Sequence, residues 1–339
     1  MAYANLLGVE TANRAEVFKR FRDFVCRRNG SYDYSTTGIG WTLHDAVYAV
    51  DQDQISINDY FVIKSIGESG NEDLYFKVIN IANYISIIGY LYWNNTTHTG
   101  VQAYGSGSNW NVGDTAVPVI WVYGDLDAVF LLSRPSNVSV NFVPSSFGIL
   151  SNPLYDKTVA VSSGALTAGT DVVIDVGTVP STWRIGDKLF LRDNVRVDRT
   201  DAGITAKTSS TVTITLSYSY NAGVKISQEL AYFCNGGAQL NATYNVLCSH
   251  AGTKGVSYSG ITWNSGILGY GYPEVLNAEH LLVPFMLVNL AIGYAGELPH
   301  IYARHTSGLT PLDLHQLVDG TNVRVFNIYN GNYAVIKEV

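Results

Sequence analysis

The sequence predicts a mainly β protein: an N-terminal amphipathic helix, a large antiparallel, sandwich-like β-body, and a small β-barrel or β-sandwich inserted into that body. Three observations carry this expectation. Short aromatic and β-branched runs recur between glycine and polar breaks after residue 30. One clear helical periodicity stands ahead of them. Between residues 155 and 230 the aromatic density falls and Ser and Thr rise, which marks a stretch of different character. The expected organisation is a helical segment over 1–30, a body made of 31–154 plus 231–339, and an inserted domain over 155–230.

The helix is read from "NRAEVFKRFRDFVCRRNG", where Val17, Phe18, Phe21, Phe24 and Val25 share one helical face. Asn13 with Glu16 resembles a capping box, and Gly30 suits a stop after Arg27 and Arg28. Arg14, Lys19, Arg20, Arg22, Arg27 and Arg28 concentrate positive charge on this segment. They read either as a docking face for an acidic neighbour or as the solvated side of an ordinary apolar stripe.

The strands follow in order. "DYFVIKS" (59–65), "DLYFKVI" (73–79), "NYISIIGYLYW" (83–93) and "VPVIWVYG" (117–124) have the composition of half-buried strands. "IGESGNE", which carries Glu68 and Glu72 and leads into Asp73, lies between two of them and reads as a hairpin loop. Within 155–230, "DVVIDV" (171–176), "RIGDKLFLRD" (184–193) and "STVTITLS" (210–217) read as strands, the last with alternating Val212, Ile214 and Leu216. "YGDLDAVFLL" (123–132) is echoed by "YAGELPHIYA" (294–303), which suggests two similar hairpins with Asp125 or Glu297 at a turn. The apolar run "LLVPFMLVNLAIGYAG" (281–296) is broken by Pro284 and Asn289 and falls short of the roughly twenty residues of a membrane span, so it reads as one or two buried strands.

Composition narrows the function. Only 14% of residues are charged, against roughly 25% in an average soluble protein. With 23 Tyr in 339 residues, such a surface suits coverage by partners, although Ser, Thr and Asn would also keep a large β protein in solution. A net charge of −7 argues against a general nucleic-acid binder. Cys26, Cys234 and Cys248 cannot all pair and form no Cys-x-x-Cys. The opening residues lack the basic region and long apolar core of a signal peptide, which predicts synthesis in the cytosol.

Candidate sites are weak one by one. Glu68, Glu72 and Asp73 do not alternate as calcium ligands do, and "DQDQI" (51–55) puts Ile55 where a third ligand belongs. Gly67-Glu68-Ser69-Gly70 places its second glycine one residue early for a nucleophile elbow. "HIYARH" (300–305) matches no helical metal face, and "CSH" (248–250) with Cys234 lacks a fourth zinc ligand. "GSGSNWNVG" (105–113) has neither a phosphate-binding lysine nor a third fingerprint glycine. The expectation is no catalytic residue, no metal and no cofactor. A depolymerase would need two of Asp51, Asp53, Glu68, Asp73 and Asp125 about 5–10 Å apart, and their spacing brings no two together. The aromatic segment "YLYWNNTTHTG" with Tyr104 and Trp110 has the chemistry of sugar stacking, of a wet protein interface, or of strand residues alternating between core and surface.

The order of a short helix, Gly40-Trp41, "DYFVIKSIGESGNEDLYFKV", "IIGYLYWNNTTHTG", "GDLDAVFLL" and "GYAGELPHIYARHTSGL…VFNIYNGNYAVIKEV" resembles structural proteins of tailed bacteriophages, over about residues 8–150 and 232–339. That resemblance transfers no site residue. It implies a virion location, a non-enzymatic role in the tail, baseplate or neck, and partners that are identical copies in a symmetric homo-oligomer together with other virion proteins. Neither direct nucleic-acid contact nor a membrane span is expected. Candidate interface residues are Arg14, Arg20, Arg27, Arg28, Trp93, Trp110, Tyr294 and Glu297. The alternative function is a tail-tip adhesin that binds a host surface glycan through the loops around Trp93 and Trp110.

Overall fold

A computed structural model describes residues 5–10, 14–29, 32–47, 56–81, 84–102, 108–110, 119–134, 143–149, 158–200, 202–228, 231–232, 274–276, 280–289, 293–305, 310–317, 319–329 and 332–338. In chain order it runs β1 (Asn5–Glu10), α1 (Arg14–Val25), β2 (Thr42–Ala46), β3 (Tyr60–Ser65), β4 (Leu74–Ile81), β5 (Tyr84–Asn94), β6 (Thr99–Gln102), β7 (Ser108–Trp110), β8 (Val119–Gly124), β9 (Ala128–Arg134) and β10 (Val143–Ile149). The insertion holds β11 (Ala160–Val161), β12 (Gly169–Asp175), β13 (Phe190–Arg192), β14 (Val197–Arg199), β15 (Ala206–Lys207), β16 (Thr211–Leu216) and β17 (Lys225–Ser227). The chain returns as β18 (Ala231–Tyr232) and continues with β19 (Glu274–Leu276), β20 (His280–Asn289), β21 (Gly293–His305), β22 (Leu314–Gln316), β23 (Asn322–Tyr329) and β24 (Asn332–Lys337).

The fold is mainly β with antiparallel sheets and a short N-terminal helix. The apolar stripe of α1 is driven into the body: Val17, Phe18, Phe21, Phe24 and Val25 are at most 1% exposed. They share one core with Phe61, Phe76 and Ile87 of the sheet β2-β3-β4-β5-β6 and with Ile120, Leu131 and Phe147 of the sheet β1-β8-β9-β10-β18. Edge-on rings lock this core, with Phe18 and Phe61 centroids 4.7 Å apart and Trp41 and Phe147 5.6 Å apart. Each Phe buried here contributes roughly 1.5–3 kcal/mol over leaving it in water.

Two expectations about the N-terminus change. The segment 1–30 is not a helical unit of its own, because β1 precedes the helix and pairs with β8 from Asn5↔Gly124 to Glu10↔Val119. The helix also stops before Gly30, at Arg27, whose φ is +49°. Arg28 N–H donates to Asp23 O at 2.9 Å and Arg27 N–H to Phe24 O at 3.3 Å, the paired bonds of a Schellman stop. Phe24 O and Val25 O then accept from Ile39, Gly40 and Trp41, so the "GW" segment satisfies the helix end. Asn13 and Gly30 lie outside the described residues.

The chain leaves the first sheet after β10 and re-enters it as β18, which pairs with β10 at Gly148↔Tyr232. The excursion carries its own core, in which Trp183, Leu189, Leu191, Val212, Ile214 and Val224 are fully buried, between the sheets β11-β17-β13-β14 and β12-β16-β15. Residues 184–189 are not strand: Arg184 N–H donates to Asp187 Oδ2 at 2.7 Å across a turn, and only Phe190–Arg192 enter the ladder. Of the apolar run, 281–289 lie in β20 and 293–296 open β21, in the sheet β19-β20-β21-β24-β23-β22. Phe326 of that sheet packs against Trp121 of β8 at 5.2 Å.

Candidate functional site at the joint of body and insertion

The loop between β3 and β4 is a hairpin connection, closed at Ser65↔Leu74. Its two ends do different work. At the near end, Ser65 Oγ donates to Leu126 O, and Glu68 N–H donates to Asp127 Oδ1 at 2.7 Å, so the loop leans on the β8–β9 turn. Gly67, at φ +65°, has no room for a side chain, since a Cβ would meet Glu72 Cγ at 2.9 Å. In the facing turn, Asp125 Oδ1 accepts from the amides of Asp127 and Ala128, both at 2.8 Å. Burial, helped by the charges of Asp127 and Glu68, pushes the Asp125 carboxyl up to about 6 against the pull of those two amides. The fold therefore brings Glu68 and Asp125 into electrostatic contact, which their spacing does not announce.

At the far end the loop grips the insertion. Glu72 is 4% exposed and Arg192 of β13 is 5% exposed, and Arg192 Nη2 pairs with Glu72 Oε2. Arg192 Nη1 also donates to Asp73 O at 2.9 Å, and Asn71 Nδ2 donates to Val159 O at 3.3 Å. Burial brings the Arg192 guanidinium down to about 10, so it remains charged at neutral pH. The Asp73 carboxylate lies between Lys64 at 2.7 Å and Lys225 of β17 at 3.3 Å. Beside this joint opens a cleft of about 230 Å³, with Tyr75 and Tyr92 on the body side and Asn194, Asn221 and Lys225 on the insertion side.

The rings proposed as surface platforms are elsewhere. Trp110 is 1% exposed and packs on Phe21 at 5.5 Å. Trp93 is 3% exposed; its Nε1 donates to Asp45 Oδ2 at 2.7 Å, and His98 Nδ1 sits 2.9 Å from the same oxygen. Tyr90 meets the Trp93 ring edge-on at 4.8 Å, and Lys77 Nζ lies 3.7 Å from the Tyr60 centroid. Neither indole therefore offers a stacking face to solvent: Trp110 belongs to the main core, and Trp93 packs with Val62, Tyr75 and Tyr90 beyond a register shift between Tyr90 and Tyr92, while Tyr92 stays 39% exposed.

The basic residues of the helix segment are largely engaged within the chain, although Arg27 is exposed. Arg22 and Asp23 form a fully buried pair at 2.7 Å, and Lys19 is buried. Arg20 pairs with Glu16 at 2.6 Å and lies 4.2 Å over the Tyr32 ring. Arg27 Nε donates to Gly38 O at 2.8 Å, and Arg28 lies 3.8 Å from Asp23. Glu297 is not at a turn: it sits inside β21 opposite Met286, next to a register shift, while Tyr294 pairs with Val288. The side chains of Arg14, Tyr294 and Glu297, and residues Asp51, Asp53, Cys234, Cys248 and His250, lie outside the described residues. Among the described residues no three His, Cys, Asp or Glu side chains are grouped to hold a metal ion.

No family model matches the chain. Natural resistance-associated macrophage protein 2 of Rattus norvegicus is 33% identical over 101 residues, covering 29% of this chain and 17% of that protein. The protein of the same name from Mus musculus is 30% identical over 101 residues, with the same coverage. The chain thus spans less than a fifth of the length of these relatives, and a likeness of that extent does not place it in their family. Among the described residues no helix is long and apolar enough to cross a membrane.

Proposed function

We propose that this chain is a non-enzymatic structural component of a tailed-phage virion, present in multiple copies in the tail, baseplate or neck. One observation supports this reading above the others. Two of the carboxylates that stood as catalytic candidates are engaged in holding the architecture, Asp125 by accepting backbone N–H groups and Asp73 by bridging two lysines, and beside them Asp127 accepts a backbone N–H and Glu72 is buried against Arg192. A body and an inserted unit joined by such links suit a subunit that bears load between neighbours. The low charge density and the resemblance described above point the same way, with identical copies and other virion proteins as the partners.

An electron-microscopy map of the intact particle tests the proposal. It predicts density for this fold repeated about the particle axis, and a fully assigned map without it would exclude the role.

A further inference from the structure

We infer that the cleft between the body and the insertion binds a neutral saccharide of one or two sugar units. At about 230 Å³ it is smaller than the roughly 300–1,000 Å³ of pockets for drug-sized ligands. Its walls combine a flat apolar ring with neutral hydrogen-bonding groups. Tyr92 is 39% exposed on the body side, and the Tyr75 ring stands 6.4 Å from it at 72°. On the insertion side Asn221 Nδ2 donates to Asn194 Oδ1 at 3.0 Å, a bond that uses neither the Asn194 amide nitrogen nor the Asn221 amide oxygen. A donor and an acceptor side by side match a ligand hydroxyl, which both gives and takes a hydrogen bond.

The charges in the wall favour a neutral ligand over an anion. Arg192 is paired with Glu72, Lys225 lies 3.3 Å from Asp73, and Asp193 adds a second carboxylate to the lining. The site is also preorganised. Asp193 Oδ1 accepts from the amides of Val195 and Arg196 at 2.8 Å, and its Oδ2 accepts from Asn221 N–H at 2.9 Å, so one carboxylate fixes both insertion turns. The Arg192–Glu72 pair fixes those turns against the body. A ligand entering here orders little that is not already ordered, which favours binding by a small molecule.

Saturation-transfer NMR on the full chain with the methyl glycosides of glucose, galactose, N-acetylglucosamine and rhamnose tests this inference. At least one is expected to receive saturation, and Tyr92→Ala is expected to weaken that glycoside about tenfold with the melting temperature unchanged. Asn194→Ala, on an exposed turn, is expected to weaken it as well and serves if Tyr92→Ala does not fold. No transfer to any of the four, equal binding by both variants, or displacement of the glycoside by inorganic phosphate would overturn the inference. Because the isolated chain is used, the outcome is independent of the assembly role.

Discussion

Glu72 in the β3–β4 loop and Arg192 in β13 pair in a buried position across 120 positions of sequence, joining the body to the insertion. Leaving either partner alone strands a charge away from water, which costs about 3–5 kcal/mol, whereas replacing both by apolar residues of similar size removes that penalty. Glu72→Leu and Arg192→Met are each expected to lower stability by about that amount. The double variant is expected to regain most of the loss. Urea unfolding of all four proteins closes the cycle, and strictly additive losses would contradict a direct pair.

Asp125 gives a pH signature. Its carboxyl titrates near 6 when folded, against 3.8 ordinarily. Between those values the folded chain keeps the proton and the unfolded chain loses it, so this group's contribution to stability falls as pH rises from about 4 to about 6. Asp125→Asn keeps an oxygen for the amides of Asp127 and Ala128 and removes the charge. The variant is expected to melt higher than the parent at neutral pH, with the gap closing at pH values below about 4. A variant that melts lower at neutral pH would show that the charge itself holds the turn.

Two glycines separate steric from conformational demand. A Cβ on Gly38 would lie 2.4 Å from Phe24 O and 2.6 Å from Arg27 Cα, both backbone atoms of the helix end. A Cβ on Gly70, at φ +73°, would meet nothing within 4 Å. Gly70→Ala is expected to cost about 1 kcal/mol for its left-handed backbone alone. Gly38→Ala is expected to cost about 2–3 kcal/mol and to disturb the helix end. Equal losses in denaturant unfolding would refute the distinction.

Cys26 follows α1, and burial pushes its thiol up to about 12. With almost no thiolate at pH 8, it is expected to resist iodoacetamide in the folded chain and to react once urea unfolds it. Peptide mapping by mass spectrometry reads the modification at this position separately from Cys234 and Cys248. Rapid native labelling of Cys26 would contradict a raised thiol.

Local pattern was legible and long-range pairing was not. Val212, Ile214 and Leu216 alternate in the sequence and are the buried face of β16, at 4% exposure or less. The apolar stripe of α1 reads equally directly, because each residue's side is fixed by helical spacing. Glu72 and Arg192 carry no such mark: a glutamate in a glycine-rich loop and an arginine at a strand end both read as surface until a partner 120 positions away is known. Trp93 misleads for a related reason, since it is covered by Asp45 of β2 and Tyr60 of β3, two strands that do not pair with its own. The helix stop at Arg27 likewise involves distant residues: Ile39, Gly40 and Trp41 donate to Phe24 O and Val25 O, and Arg27 Nε donates to Gly38 O.

On the proposed role the protein acts as one of many copies. Sedimentation velocity across a rising concentration series tests it most directly. Association into a discrete multimer of the 37.0 kDa chain is the predicted result. A single species at the monomer mass over the whole series would contradict it.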